Sequence, residues 1–482
     1  MSKYNENLEI KKKNSWYSMD ETLKADAFDV CEKYKDFLNK GKTEREVVKN
    51  TISILSANGF IDFNEVISGK VKAIPGLKVY YSNRGRSIFV GILGKKGPEY
   101  GLKIVGSHID SPRLDIKPTP LYEDSEIAYL KTHYYGGIKK YQWVATPLAL
   151  HGIIMKKDGE TLFVSVGEEE NEPRFIISDI LPHLGREQLA KPGNSIINAE
   201  QLNLIIGSIP EKDLSDFNEA DKSDKEKELS VKQSILTLLF DKYGINEKDF
   251  MRAELQVVPA VKAFDVGFDR GFIGSYGHDD RICAFTSLEA IISIKDVPEH
   301  TALCYFADKE EVGSMGNTGA RSNALEYFIS ELCAAYYDSN ISFMKDRCLS
   351  RSRLLSADVT AAYDPTFAEV FDKTNAAFAG HGISVSKYTG HGGKSGSSDA
   401  CAEFVFEVTD GFDSEGIAWQ INAIGKTDAG GGGTIAQFMA DKGIEVLDCG
   451  VALLSMHAPY ELASKADIYW TYRAYKNFLS TK

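Results

Sequence analysis

The stretch Asp308-Lys309-Glu310-Glu311-Val312-Gly313 decides how the rest of the chain is read. It follows an apolar run, Thr301 to Phe306, with the length and composition of a buried strand. In α/β proteins, ligands bind at the edge where such strands end. Glu310 and Glu311 repel each other there unless a positive charge lies close by. A metal ion held by one carboxylate, while the other handles a proton, removes the conflict. Solvated loop acids are the plainer alternative, since most charged residues are simply exposed.

Other runs deliver similar residues. Leu102 to Val105 is short and mostly apolar, and it leads into Gly106-Ser107-His108-Ile109-Asp110-Ser111-Pro112. Asp279-Asp280 follows Gly277, and Leu354-Leu355-Ser356-Ala357 ends in Asp358. His457 lies in Ser455-Met456-His457-Ala458-Pro459. This mixture of imidazole and carboxylate suits zinc, with cobalt or manganese as substitutes, and speaks against calcium. One ligand from each of these five places, His108-x-Asp110, Asp279-Asp280, Glu310-Glu311, Asp358 and His457, is too many for one catalytic zinc with an open position. Such a set matches two metals sharing one carboxylate, ~3.5–4 Å apart. Asp110, two residues from His108, shares its face if the strand continues, and there it would orient the imidazole. Singly, each residue has another explanation. A lone histidine is often just a satisfied polar group, and Asp279-Asp280 or Asp358 would serve as helix caps or turns.

Periodicity sets the frame. Residues 18 to 58 read as helical, with Val47, Val48, Ile52 and Leu55 on one face and Gly59 at the end. Val79-Tyr80-Tyr81 and Ile88-Phe89-Val90 read as strands around Asn83-Arg84-Gly85. Past Pro118 the texture turns β-rich, and Asp158-Gly159 marks a hairpin between Ile153-Ile154-Met155 and Leu162-Phe163-Val164. Residues 209 to 232 are dense in Glu, Asp and Lys and read as an exposed or disordered loop. Helical spacing resumes at Ser234 to Tyr243. From Glu254 helices (through Phe285, Leu288, Ile291 and Ile292, then Leu325 to Tyr336, then Thr434 to Lys442) alternate with strands at Leu354, Ile417 to Ile421, and Ile444 to Leu447. The expected fold is α/β, a mixed sheet covered by helices on both faces. Its catalytic domain is discontinuous, 1–118 and 251–482, with residues 119–250 as an inserted β-rich domain.

Composition narrows the function. The chain has 482 residues, 43% hydrophobic and 26% charged, as expected of two or three globular units. Its seven cysteines are odd in number and form no CxxC pair, which suits a reducing compartment. Net charge −13 argues against nucleic acid as a partner. No apolar run has the length of a membrane span, and Met1 to Trp16 lacks the core of a secretory signal, so the expected location is the cytoplasm. Gly393-Lys394-Ser395 imitates the end of a phosphate-binding loop, but Tyr388 stands where that pattern needs glycine. Gly430 to Gly433 reads either as an anion-binding helix entry or as a flexible lead-in.

The five motifs, Ser107 to Pro112, Asp279-Asp280-Arg281, Asp308 to Ser314, Ser356-Ala357-Asp358 and Ser455-Met456-His457, resemble together the aspartyl aminopeptidase family of metallopeptidases, peptidase family M18, in its bacterial branch. The resemblance covers nearly the whole chain. It implies a zinc-peptidase catalytic domain, an inserted dimerisation domain and a co-catalytic pair of zinc ions. By that analogy Asp279 bridges the ions, His108 and Asp358 complete one, and Glu311 and His457 the other. Glu310 is then the general base and Asp110 the residue that orients His108. His183, in Leu181-Pro182-His183-Leu184, matches a histidine lent to a neighbouring active site. Lys394 matches a position associated with acidic side chains. The implied enzyme removes N-terminal residues, Asp or Glu by preference, from peptides, as a dimer-based homo-oligomer of dodecameric size. Lys426 to Gly433 and the segment 209–232 depart from the family pattern and leave the preferred residue open. A two-metal amidase or deacylase acting on blocked substrates is the alternative.

Overall fold

The computed structural model describes residue 10, residues 12–213 and residues 227–481. Packing divides them into two compact units. One takes the residues up to Ser111, Ala263–Met456 and those from Tyr460 onward; the other takes Pro112–Lys262 with His457–Pro459.

The first unit is built on a nine-stranded sheet. Its order is Ile61–Asp62, Lys78–Asn83, Ser87–Ile92, Thr301–Ala307, Leu102–His108, Arg353–Ser356, Glu445–Gly450, Ile383–Ser386 and Trp419–Asn422. The four strands from Thr301–Ala307 to Glu445–Gly450 run parallel to one another. Antiparallel neighbours flank them, Ser87–Ile92 on one side and Ile383–Ser386 on the other. Thr301–Ala307 and Leu102–His108 are buried at every position, as parallel strands covered on both faces must be.

Side-chain alternation explains the two layers. Ala302, Cys304 and Phe306 join one core with the helices Glu21–Lys40, Glu44–Ala57, His278–Ile292, Ala402–Ser414 and Lys465–Ser480. Leu303, Tyr305 and Ala307 join another with Ala324–Ala334, Ile341–Arg351 and Ala436–Ala440. Each large apolar side chain so buried contributes ~1.5–3 kcal/mol. The mixed sheet with helices on both faces is the expected one. A smaller five-stranded sheet, Phe264–Val266, Phe272–Ser275, Glu461–Ser464, Ala452–Leu454 and Thr360–Ala361, belongs to the same unit.

The second unit carries a six-stranded sheet in which every pairing is antiparallel. Its order is Thr161–Val166, Leu148–Met155, Ala253–Pro259, Arg113–Asp124, Ile127–Tyr135 and Asn203–Gly207. The hairpin at Asp158-Gly159 joins its first two strands as the turn signal predicts. The helix Val231–Tyr243 packs on this sheet.

Two expectations are corrected. The helix read over 18–58 is broken at Gly41. Thr43 opens a second helix with a capping box: its hydroxyl accepts from the Glu46 N–H, and the Glu46 carboxylate accepts from the Thr43 N–H. The helix read over Thr434 to Lys442 shrinks to Ala436–Ala440, whose first N–H donates to the Thr434 hydroxyl, so Thr434 stands before the helix and not in it. Of the segment 209–232, residues 214–226 lie outside the described residues.

Candidate metal centre

Parallel strands end at one edge, and this places the acidic loop beside His108. Ala307 pairs with His108 and Ser356 with Gly106, so Glu310-Glu311, His108 and Asp358 all emerge at the same level of the sheet. Asp279 and Asp280 arrive from the side, at the start of the helix His278–Ile292, where their backbone is not helical and the peptide bond between them is cis. The Asp279 N–H donates to Glu461 Oε2 at 3.0 Å, and the Ser111 hydroxyl donates to the Asp279 carbonyl at 2.6 Å.

His108 defines the chemistry. Its Nδ1 lies 3.0 Å from the Asp110 carbonyl oxygen and 3.4 Å from Asp110 Oδ1. Both are acceptors, so Nδ1 carries a proton. Its Nε2 lies 3.1 Å from Asp279 Oδ1 and 3.7 Å from Asp358 Oδ1. A neutral imidazole has one N–H, not two. This ring is therefore either a cation itself or a ligand to a cation between Nε2 and the carboxylates. Two groups of ligand atoms lie within 4.8 Å of one another, His108 with Asp279 and Glu311, and His108 with Asp280 and Asp358. One imidazole nitrogen with several carboxylates is a donor set that fits zinc.

The electrostatics point the same way. Burial opposes charge on His108, but Asp110, Asp279 and Asp358 outweigh it and hold the imidazole well above its usual pKa. Burial, joined by the Asp358 and Asp279 charges and opposed by His108, pushes Asp280 well up. Asp358 is raised by burial, against His108 and with Asp279. Carboxylates crowded out of water resist ionisation together, and a divalent cation relieves that cost.

Asp110 does more than face His108. Its Oδ1 accepts from the Glu310 N–H at 3.1 Å and its Oδ2 from the Glu311 N–H at 3.2 Å, so one carboxylate sets both the imidazole and the acidic turn. The strand ends at His108, and Asp110 reaches back to the ring from the following loop rather than from a continued strand. His457 groups with the second unit, its Nδ1 2.8 Å from the Gly137 carbonyl oxygen. His183 is exposed on that unit. Lys394 Nζ lies 2.8 Å from Asp399 Oδ2 and 4.1 Å from the centre of the Tyr388 ring. These three stand outside the two ligand groups.

The sequence names Asp280 only as the neighbour of Asp279, with no role of its own, and does not point to Glu461 at all. Asp280 Oδ2 accepts from the His108 N–H at 3.3 Å. Its adjacency to Asp279 was a signal; Glu461 had none.

The family model described as aminopeptidase I zinc metalloprotease (M18) matches residues 37–479. The chain belongs to the M18 aminopeptidase family. It is similar to a probable M18 family aminopeptidase 1 of Clostridium acetobutylicum, 46% identical over 97% of this chain and 98% of the relative. A solved M18 aminopeptidase structure from Thermotoga maritima, 40% identical, superposes with a TM-score of 0.90 over 98% of this chain and 100% of that one. The S. cerevisiae mApe1 dodecamer, 21% identical with a TM-score of 0.73 over 93% and 96% of the chains, shares the fold. This M18 member is therefore a metalloaminopeptidase, a hydrolase that removes N-terminal residues from peptides. Among its described residues no helix is long and apolar enough to cross a membrane.

Proposed function

We propose that the enzyme works with two divalent ions, zinc by preference, and that the His108 ring carries this reading. Its Nδ1 is committed to Asp110, and its Nε2 faces carboxylate oxygens that cannot donate to it. One imidazole nitrogen binds one ion, so a shared ligand has to be a carboxylate with two oxygens. By the family resemblance Asp279 would take that place, His108 and Asp358 would hold one ion, and Glu311 and His457 would hold the other. The His457 Nδ1 contact with the Gly137 carbonyl is the kind that orients a ligating imidazole.

When bound, the ions would polarise the scissile carbonyl and acidify the attacking water. Glu310 removes the proton from that water and passes it to the leaving amine. Asp110 fixes Glu310 through the turn N–H groups. The exposed His183 is available to a neighbouring subunit's developing oxyanion, in a homo-oligomer of the kind the yeast dodecamer illustrates. A cytoplasmic location accords with cysteines that are all free.

The test pairs metal analysis of the purified enzyme with a panel of free-amine and N-acylated substrates. Two ions per chain and cleavage of free-amine substrates alone are expected. A single ion removes the co-catalytic reading, and equal cleavage of blocked substrates turns it to the deacylase alternative.

Lys394 is proposed to read acidic side chains, giving up Asp399 when substrate enters. Lys394→Met should reduce turnover of aspartyl and glutamyl substrates about tenfold more than of leucyl ones, as expected when about 1.4 kcal/mol of specific attraction is removed. An equal loss on both removes the specificity claim.

A further inference from the structure

Behind the strand end that leads to Asp358 lies a buried polar chain that the reaction does not use. Asp448, in the strand Glu445–Gly450, pairs in register with Ser356. The Thr434 hydroxyl donates to Asp448 Oδ1 at 2.6 Å, and the Ser356 hydroxyl donates to Thr434 Oγ1 at 3.2 Å. All three side chains are buried. A branched apolar residue would fill the Asp448 position without desolvating a carboxylate, so strand stability does not explain the acid.

The chain leads two ways. Towards the metal ligands, Ser356 stands two residues before Asp358. A Cβ at Gly450 would fall 1.9 Å from the Asp358 carbonyl oxygen, so the Asp448 strand lies backbone-on-backbone against the ligand. Towards the substrate loops, Thr434 terminates the run Gly430–Gly433. The Gly390 N–H donates to the Gly432 carbonyl at 2.6 Å, and a Cβ at Gly431 would fall 2.0 Å from the Gly390 carbonyl oxygen. The glycine run is thus the seat of the loop that carries Lys394, and the close approach demands glycine at Gly431, whereas a Cβ at Gly430 or Gly432 would meet open space.

We propose that Asp448 is a positioning residue for the aminopeptidase reaction: through Thr434 and Ser356 it locks the Gly430–Gly433 run, and the Lys394 loop seated on it, to the backbone that presents Asp358. The proposal rests on the reading of Asp358 as a ligand and of the Lys394 loop as a substrate contact. Without the lock the loop wanders relative to the ions, and its contacts hold the substrate less tightly.

Thr434→Val keeps the side chain's shape and deletes the hydroxyl, whereas Thr434→Ser keeps the hydroxyl. Steady-state kinetics on zinc-loaded enzyme, at matched zinc content, should show kcat/KM reduced about 10–100-fold in Thr434→Val and in Asp448→Ala, the scale of a misplacement near 1 Å. The loss should fall mainly on KM, because Glu310 and its Asp110 cradle belong to other segments, and Thr434→Ser should recover most of it. A parent-like Thr434→Val overturns the proposal. So do equal losses in Thr434→Val and Thr434→Ser, and so does a fall in kcat at unchanged KM, which marks a smaller active fraction. If Asp448→Ala fails to fold, the threonine pair decides alone. Should Lys394→Met change nothing while Thr434→Val raises KM, the specificity reading fails and the lock stands.

Discussion

Glu310 must be ionised to take a proton from water, yet in the chain without ions its pKa is pushed up to about 8. Burial is the largest cause; His108 opposes it, and the Asp358, Asp110 and Asp279 charges add to it. A divalent cation acts in the opposite direction, so a loaded site has its base ready near neutrality. Glu310→Gln has almost the same shape and cannot accept the proton. We expect zinc content to stay at the parental level while kcat falls on the order of 10³-fold or more; near-parental turnover takes the base role from Glu310. At this scale much of the site was legible. Glu310, Glu311, His108 and Asp358 each follow an apolar run, and parallel pairing brings those run ends to one edge. Glu461 could not be found this way, because it is 182 residues from the Asp279 N–H it receives. The second task of Asp110 was equally hidden, since it depends on a turn whose N–H groups point backwards.

The Asp308 to Gly313 turn is itself held by an element far away in sequence. Arg86, just before the strand Ser87–Ile92, places Nε 3.0 Å from Asp308 Oδ2 and Nη2 2.6 Å from Glu44 Oε1. Both acids are fully buried, and Arg86 is 16% exposed. The planar guanidinium serves two carboxylates at once, and a lysine would not. Arg86→Met leaves two buried acids without that guanidinium and should cost ~3–5 kcal/mol in a denaturation midpoint series. Even with Arg86 present, Asp308 is pushed up to about 6 by burial and by Glu44, against Arg86. A carboxylate with a raised folded pKa favours the protonated fold, so its burden grows as pH rises from about 4 through about 6. The Arg86→Met defect should therefore be smaller at pH 5 than at pH 8; a defect independent of pH would show that Asp308 is not the group under strain. Strong periodicity made most helices and central strands legible. The break at Gly41 was not, because the residues on both sides keep helical spacing; Gly41 closes the first helix and the Thr43–Glu46 box opens the second. The five-stranded sheet was not either, since a strand as short as Thr360–Ala361 has no period to read.

At the scale of the molecule, the texture change near Pro118 and the return near Glu254 sit inside elements. The strand Arg113–Asp124 begins before the first and Ala253–Pro259 spans the second, so the packing units change at Pro112 and Lys262 instead. The whole-chain consequence of the metal centre is a reversal of pH dependence. With ions removed, Glu310, Asp280 and Asp358 have folded pKa values above their unfolded values near 4. The fold then binds protons more tightly than the unfolded chain, so the ion-free protein loses stability as pH rises from about 4 towards 8 and regains it on acidification. His108, also raised, works in the same sense. With ions bound, the same groups are held as ligands, protons compete with zinc, and acidification weakens binding and with it the stability that binding adds. Thermal midpoints of chelated and zinc-loaded enzyme between pH 8 and pH 6 should therefore move oppositely relative to each other, the chelated form gaining on the loaded one as pH falls. All groups outside the centre contribute equally to both series and cancel in the difference. A gap between the two midpoints that is zero, or constant across this range, would mean that the carboxylates around His108 hold no cation.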